Sequence, residues 1–148
     1  DNDAPKRLRP EEKDIIRQFT QLYDWIWITG NHDPTPTPTL GGKIASHIGI
    51  ANLMFRHITI GGVTNGEISG HFHPKARLKI KGKKLSARCF ISDGTDRLIL
   101  PAFGTYTGGL DISHPTIEAL FSGNYMIFLL GQRKVFTLPK TVLKTYAR

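Results

Sequence analysis

Six histidines punctuate this chain, and four of them, His32, His57, His71 and His73, stand beside glycine breaks or at the end of an apolar run. Imidazole gives or takes a proton near neutral pH, and its neutral ring nitrogen binds divalent metals. The densest concentration of chemistry is Gly30-Asn31-His32-Asp33, which follows Trp25-Ile26-Trp27-Ile28-Thr29. Tryptophan and β-branched residues favour a buried strand, and a glycine at its end lets the backbone bend sharply. An amide, an imidazole and a carboxylate then leave one sheet edge together. The crevice beyond the carboxyl ends of strands is where open α/β sheets bind ligands. Taken alone, the same residues also suit an ordinary turn. In Gly70-His71-Phe72-His73-Pro74, the i, i+2 spacing on an extended backbone puts both imidazoles on one side and Phe72 on the other, a pair able to hold metal ions. His57 ends the run Leu53-Met54-Phe55, another strand terminus.

The elements that must position these residues can be read in order. A helix is expected from Pro10 to Asp24, with Pro10 in its first turn, Glu11 and Glu12 complementing the dipole, and Ile15, Ile16, Phe19, Leu22 and Tyr23 on one face. It leads into the Trp25 strand. The alternating prolines of Pro34 to Thr39 exclude helix and central strand and predict a stiff extended loop. Strand character follows over Lys43 to Ile48, Asn52 to Ile60 and Glu67 to Ser69. Ala76 to Ile80 and Leu85 to Ser92 make a hairpin, Arg97 to Leu100 a further strand, and 101–109 a glycine-rich loop. A short helix from Pro115 to Phe121, strands near Tyr125 to Leu130 and Lys134 to Leu138, and a basic tail complete the chain. Asp93 and Asp96 read as turn residues.

A chain of 148 residues without internal repeat is expected to be one domain, 1–148. No apolar run is long enough to span a bilayer, so no membrane partner is expected. The single Cys89 cannot form an internal disulfide, and no signal-peptide pattern opens the chain, which favours a reducing cytoplasm. In a strand, Cys89 reads as a small buried hydrophobe. The formal charge of +8 attracts polyanions, although many ordinary soluble proteins share it. Its distribution is uneven: Lys75, Arg77, Lys79, Lys81, Lys83, Lys84 and Arg88 follow the histidine pair directly. Such a hairpin either holds a nucleic-acid backbone or protects a sheet edge from aggregation.

The ordered set Gly30-Asn31-His32-Asp33, His57, Gly70-His71-Phe72-His73 resembles the downstream half of the calcineurin-like metallophosphoesterase signature. With Phe55-Arg56-His57, Arg88-Cys89-Phe90 and Leu100 to Leu110, the chain is similar along most of its length to the bacterial ligase-associated DNA damage response endonucleases. The resemblance implies an α/β fold of the α+β type, a β-sandwich flanked by helices. That family opens with Asp-x-His and Gly-Asp, which supply further metal ligands, and neither motif is present. Asp1-Asn2-Asp3 resembles the loop just after Gly-Asp. The resemblance therefore implies an N-terminally incomplete domain lacking its first strand-helix-strand, on the order of 30 residues. The missing segment would come from a longer polypeptide or from a homo-oligomer partner.

Carried onto this sequence, the resemblance implies that Asn31, His57 and His71 ligate one divalent ion and His73 the other, with Mn²⁺ expected and Fe, Zn or Ni also admitted by the ligands. It implies hydrolysis of phosphodiester bonds, in DNA during bacterial repair, through attack of a hydroxide bridging the two metals. His32 is expected to donate a proton to the leaving oxygen, and Asp33 to orient His32. Arg56, Arg77 and Lys79 are the expected substrate-binding residues, while Tyr106 near the mouth reads equally as a solvated side chain. DNA, a DNA ligase and a helicase are the implied partners. His47 and His114 match nothing in the family pattern and read as structural. Two alternatives stay open: a phosphodiesterase of small or cyclic nucleotides, and a non-catalytic nucleic-acid-binding or scaffold piece.

Overall fold

The computed structural model describes residues 7–32, 38–60, 66–80 and 82–141. Helix α1, Pro10–Leu22, begins on the expected proline, and the Glu12 carboxylate accepts from the Arg9 backbone N–H at 2.9 Å and from its guanidinium at 2.8 Å. Its apolar face is real but uncovered: Ile15, Phe19 and Leu22 are all exposed and no residue of the helix is buried. Strand β1, Ile26–Ile28, pairs in parallel with β2, Lys43–Ala45. The expectation of a buried strand is corrected here, because β1 belongs to a sheet of only two strands and all three of its residues stay half-exposed. Pro38–Leu40 forms a 3-10 turn rather than extended chain. The rest of the expected proline-rich loop, with Asp33, lies outside the described residues.

The expected strand over Lys43 to Ile48 is in fact two. The chain leaves the small sheet at Ser46 and enters a larger one as β3, His47–Ile50. β3 returns through Ala51-Asn52 as antiparallel β4, Leu53–Arg56, with His47 opposite Arg56. β4 runs parallel to β5, Glu67–Ser69, and β5 parallel to β8, Arg97–Ile99. β7, Lys83–Ser92, lies antiparallel to β8, to β9 (Met126–Leu130) and to β6 (Lys75–Ile80). β10, Val135–Pro139, closes the far edge against β9. The protein is thus mixed α/β, with one large sheet dominating and few helices among the described residues. None of those helices is long and apolar enough to cross a membrane.

The core lies on this sheet, where Cys89, Ile91, Ile99, Ile127 and Tyr125 pack with Ile112 and with Ile117 of α2, Pro115–Glu118. Burial of this kind stabilises by about 25 cal/mol per Å² of apolar surface. It also pushes the Cys89 thiol up to about 12, so this cysteine is a packing group as expected. His114 is structural too: it caps α2, its Nδ1 accepting the Thr116 N–H at 3.2 Å.

Asp93 is a turn residue with a measurable role. Its Oδ1 accepts N–H groups from Thr95 at 3.1 Å and from Asp96 and Arg97 at 2.9 Å each. Burial alone would raise its pKa, but the three donors and the Arg97 charge together hold it below the usual carboxylate range. A depressed folded pKa gives stability that is present above the unfolded value and lost as pH falls through the folded one. Asp93→Ala is expected to cost about 1 to 2 kcal/mol near neutral pH, the low end for charge-assisted bonds at a solvent-screened turn. Urea titrations should show the gap to wild type closing as pH drops below about 4.

Candidate metal centre

Three chain breaks meet at one place. β4 and β5 are parallel neighbours, so the residues following them, His57 and His71, emerge at the same end of the sheet. The Gly70 N–H donates to the His57 carbonyl at 3.0 Å and ties the two exits together. From the other sheet, β1 ends at Ile28 and, through Thr29, delivers Gly30 and Asn31 to the same point. Gly30 is required by close approach, since a Cβ there would lie 2.8 Å from His57 Nδ1.

Three side-chain atoms form a triangle. His57 Nε2 lies 2.6 Å from Asn31 Oδ1 and 3.0 Å from His71 Nδ1, and His71 Nδ1 lies 3.0 Å from Asn31 Oδ1. Protons cannot satisfy all three edges. An asparagine oxygen only accepts, so hydrogens on both nitrogens would collide along the edge joining them. One hydrogen, or none, leaves at least one edge as two lone pairs in contact. A cation among the three resolves every edge at once. Ligands about 2.1 Å from a common ion and at right angles to each other stand about 3.0 Å apart, which matches these edges. Two imidazole nitrogens and one amide oxygen suit Mn, Fe, Zn or Ni. Among the described residues no group of three or more His, Cys, Asp or Glu could hold a metal, so the third corner depends on asparagine.

The electrostatics favour free lone pairs. Burial first, then the neighbouring His71, His73 and His32, lower the His57 pKa. Burial and then His71, His32 and Lys75 do the same for His73. Four imidazoles therefore share one field, and His57 and His73 lean toward the neutral form that ligates metals.

The backbone of the pair corrects the sequence reading. His71 and His73 are not on an extended strand: β5 ends at Ser69, and the two residues have φ of +57° and +49°. Left-handed backbone is uncommon outside glycine, although histidine adopts it more readily than most residues, and it gathers at functional positions. The cause is Phe72, which turns into the core while Gly70 accepts its N–H at 2.7 Å, and this tight bend throws His71 toward the triangle. His73 stays outside the triangle. Its carbonyl packs on Gly109, where a Cβ would lie 2.0 Å away.

The triangle opens on a cleft of about 430 Å³, whose lining includes Thr29, Ser46, His47 and Arg56. Arg56 therefore shares the cleft with the triangle. His32 is exposed and outside that lining, although its charge reaches His57 and His73. Arg77 and Lys79 stand on the exposed face of β6, outside the cleft, with Arg77 Nε 3.7 Å from Asp111. Tyr106 is fully exposed. Two members of the basic cluster face inward: Arg88 donates to the carbonyls of Ala102, Phe103, Gly104 and Thr105, and Lys75 to that of Thr107. Lys81 lies outside the described residues.

Sequence reasoning missed Ser46, His47 and Glu67. A two-residue hairpin at Ala51-Asn52 would have set His47 opposite Arg56, but the only local signal is one asparagine. Glu67 is wholly buried between Arg56, with Oε2 3.4 Å from Nε, and Arg97, with Oε1 3.1 Å from Nε.

No family model and no curated protein matches the chain. Among solved structures, the nuclease MPE of Pseudomonas putida is similar, with a TM-score of 0.66 and 23% identity, over 91% of this chain and 66% of that one. The chain therefore shares its fold with a protein of which it spans 66% of the length.

Proposed function

We propose that this protein is a metal-dependent phosphoesterase of the calcineurin-like kind that hydrolyses phosphodiester bonds of DNA. The observation that carries the reading is the Asn31, His57, His71 triangle, whose facing lone pairs a cation would reconcile. Its fold likeness to a nuclease and its net charge of +8 support a nucleic-acid substrate. Asn31, His57 and His71 would hold one divalent ion, and His73 would serve a second. Bound there, such ions supply Lewis-acid stabilisation of charge developing on phosphoryl oxygens. Arg56 offers its guanidinium to a non-bridging oxygen from the cleft wall. His32 delivers a proton to the leaving oxygen, with Asp33 as its orienting carboxylate. Arg77 and Lys79 hold the flanking backbone from the exposed hairpin. A bacterial, cytoplasmic repair setting with a ligase and a helicase belongs to the same proposal.

Calorimetric titration with Mn²⁺, together with plasmid nicking in the same buffer, tests the reading. Saturable binding with metal-dependent nicking is expected, and failure to bind Mn²⁺ would overturn it. Binding of metal and DNA without cleavage would favour a non-catalytic role. His32→Ala is expected to keep Mn²⁺ affinity and lose about 10² to 10⁴ in turnover, the usual worth of general acid help. Unchanged hydrolysis by that variant would remove His32 from the scheme.

A further inference from the structure

We propose that His47 and Arg56 form a paired clamp for a phosphoryl anion, with Ser46 and Glu67 as its positioning residues. The clamp rests on the reading of the cleft as a phosphate site and adds the wall that faces its occupant. β3 and β4 place His47 directly opposite Arg56. Side chains opposite each other on antiparallel strands share a face, with Cβ atoms about 5 Å apart. Both residues line the cleft that holds the triangle.

Arg56 is poised rather than spent. Its Nε is buried and lacks a hydrogen-bond partner among the described residues, although the Glu67 carboxylate stands 3.4 Å away. That Nε is turned to Glu67, so the cleft meets Arg56 through the rest of its side chain. Glu67 does not cancel the Arg56 charge, because the same carboxylate also pairs with Arg97 and accepts from the Thr59 hydroxyl. Arg97 is spent within the fold, donating to the Leu120 and Ile60 carbonyls as well. Two guanidinium groups on one carboxylate leave a net positive charge, and Arg56 is the member that reaches the cleft.

His47 completes the grip. The Ser46 hydroxyl lies 3.0 Å from His47 Nδ1. When that hydroxyl donates, the ring proton sits on Nε2, which makes this cleft-lining residue a donor. A planar guanidinium and a single imidazole N–H together present donors to more than one oxygen of a tetrahedral phosphoryl group.

The test uses inorganic phosphate as the probe, added to the metal-free chain in a chelator and followed by calorimetry. His47→Ala is expected to weaken phosphate binding by about tenfold or more. His47→Gln, which returns an N–H near the Nε2 position, should recover most of the affinity, and Ser46→Thr should hold it better than Ser46→Ala. Folding is checked by circular dichroism on each variant. Absence of phosphate binding by the wild type, or equal affinity in folded His47→Ala, would overturn the clamp. Mn²⁺ affinity is measured separately on wild type and His47→Ala. Loss of metal binding from the wild type would sink the metal reading, while the phosphate result still decides the clamp.

Discussion

Replacing His71 by alanine is expected to lower Mn²⁺ affinity at least about 100-fold and to abolish metal-dependent hydrolysis. Removing a group that merely orients a ligand costs about 10- to 100-fold, so losing the ligand itself costs more. His71 Nδ1 forms two edges of the triangle, 3.0 Å from both His57 Nε2 and Asn31 Oδ1. The fold should tolerate the change, because His71 is only half-buried at the mouth of the cleft. Its φ of +57° provides an internal control. Glycine adopts that backbone freely, so His71→Gly removes the imidazole and relieves strain together. Both variants should lose metal equally in calorimetric titrations. Retention of Mn²⁺ by His71→Gly alone would assign the effect to backbone strain instead.

Glu67→Ala is the variant expected to damage stability most. Glu67 is fully buried, and its removal strands two guanidinium groups whose side chains are only 14% and 9% exposed. Breaking a buried pair in this way costs about 3 to 5 kcal/mol, because the remaining charge has no partner. Against a total stability of about 5 to 15 kcal/mol, this would leave a substantial fraction unfolded. Glu67→Gln should be milder, since an amide still bonds the Thr59 hydroxyl and the neighbouring cations. Urea unfolding midpoints give both values. A shift below about 1 kcal/mol for alanine would mean that water reaches Arg56 and Arg97 and the network is not sealed.

The strands of this protein were legible because their signals are local. Glu67 to Ser69 has the bounds the sequence suggested, and the β6–β7 hairpin is announced by alternation of Ala76 and Leu78 with Arg77 and Lys79. What escaped was set by pairing at a distance. Ser46 is an ordinary residue in sequence, yet the chain changes sheets there, and this crossing carries His47 into the cleft. Glu67 read as a plain strand acid because Arg56 and Arg97 lie 11 and 30 positions away. The bend at His71 and His73 was hidden because nothing in Gly70-His71-Phe72-His73 announces that Phe72 enters the core. Asn31, His57 and His71 were named from motif order, and their convergence follows from two parallel strand ends and one strand of another sheet.

The spin-echo spectrum of Mn²⁺ bound to the chain tests the central claim most directly, since it reports nitrogen atoms in the coordination sphere. At one equivalent of Mn²⁺ the wild type should show modulation from two imidazole nitrogens, His57→Ala and His71→Ala, loaded at higher Mn²⁺, one each, and His114→Ala the full wild-type pattern. Bound Mn²⁺ with no imidazole nitrogen, or a spectrum indifferent to His57 and His71, would contradict the account.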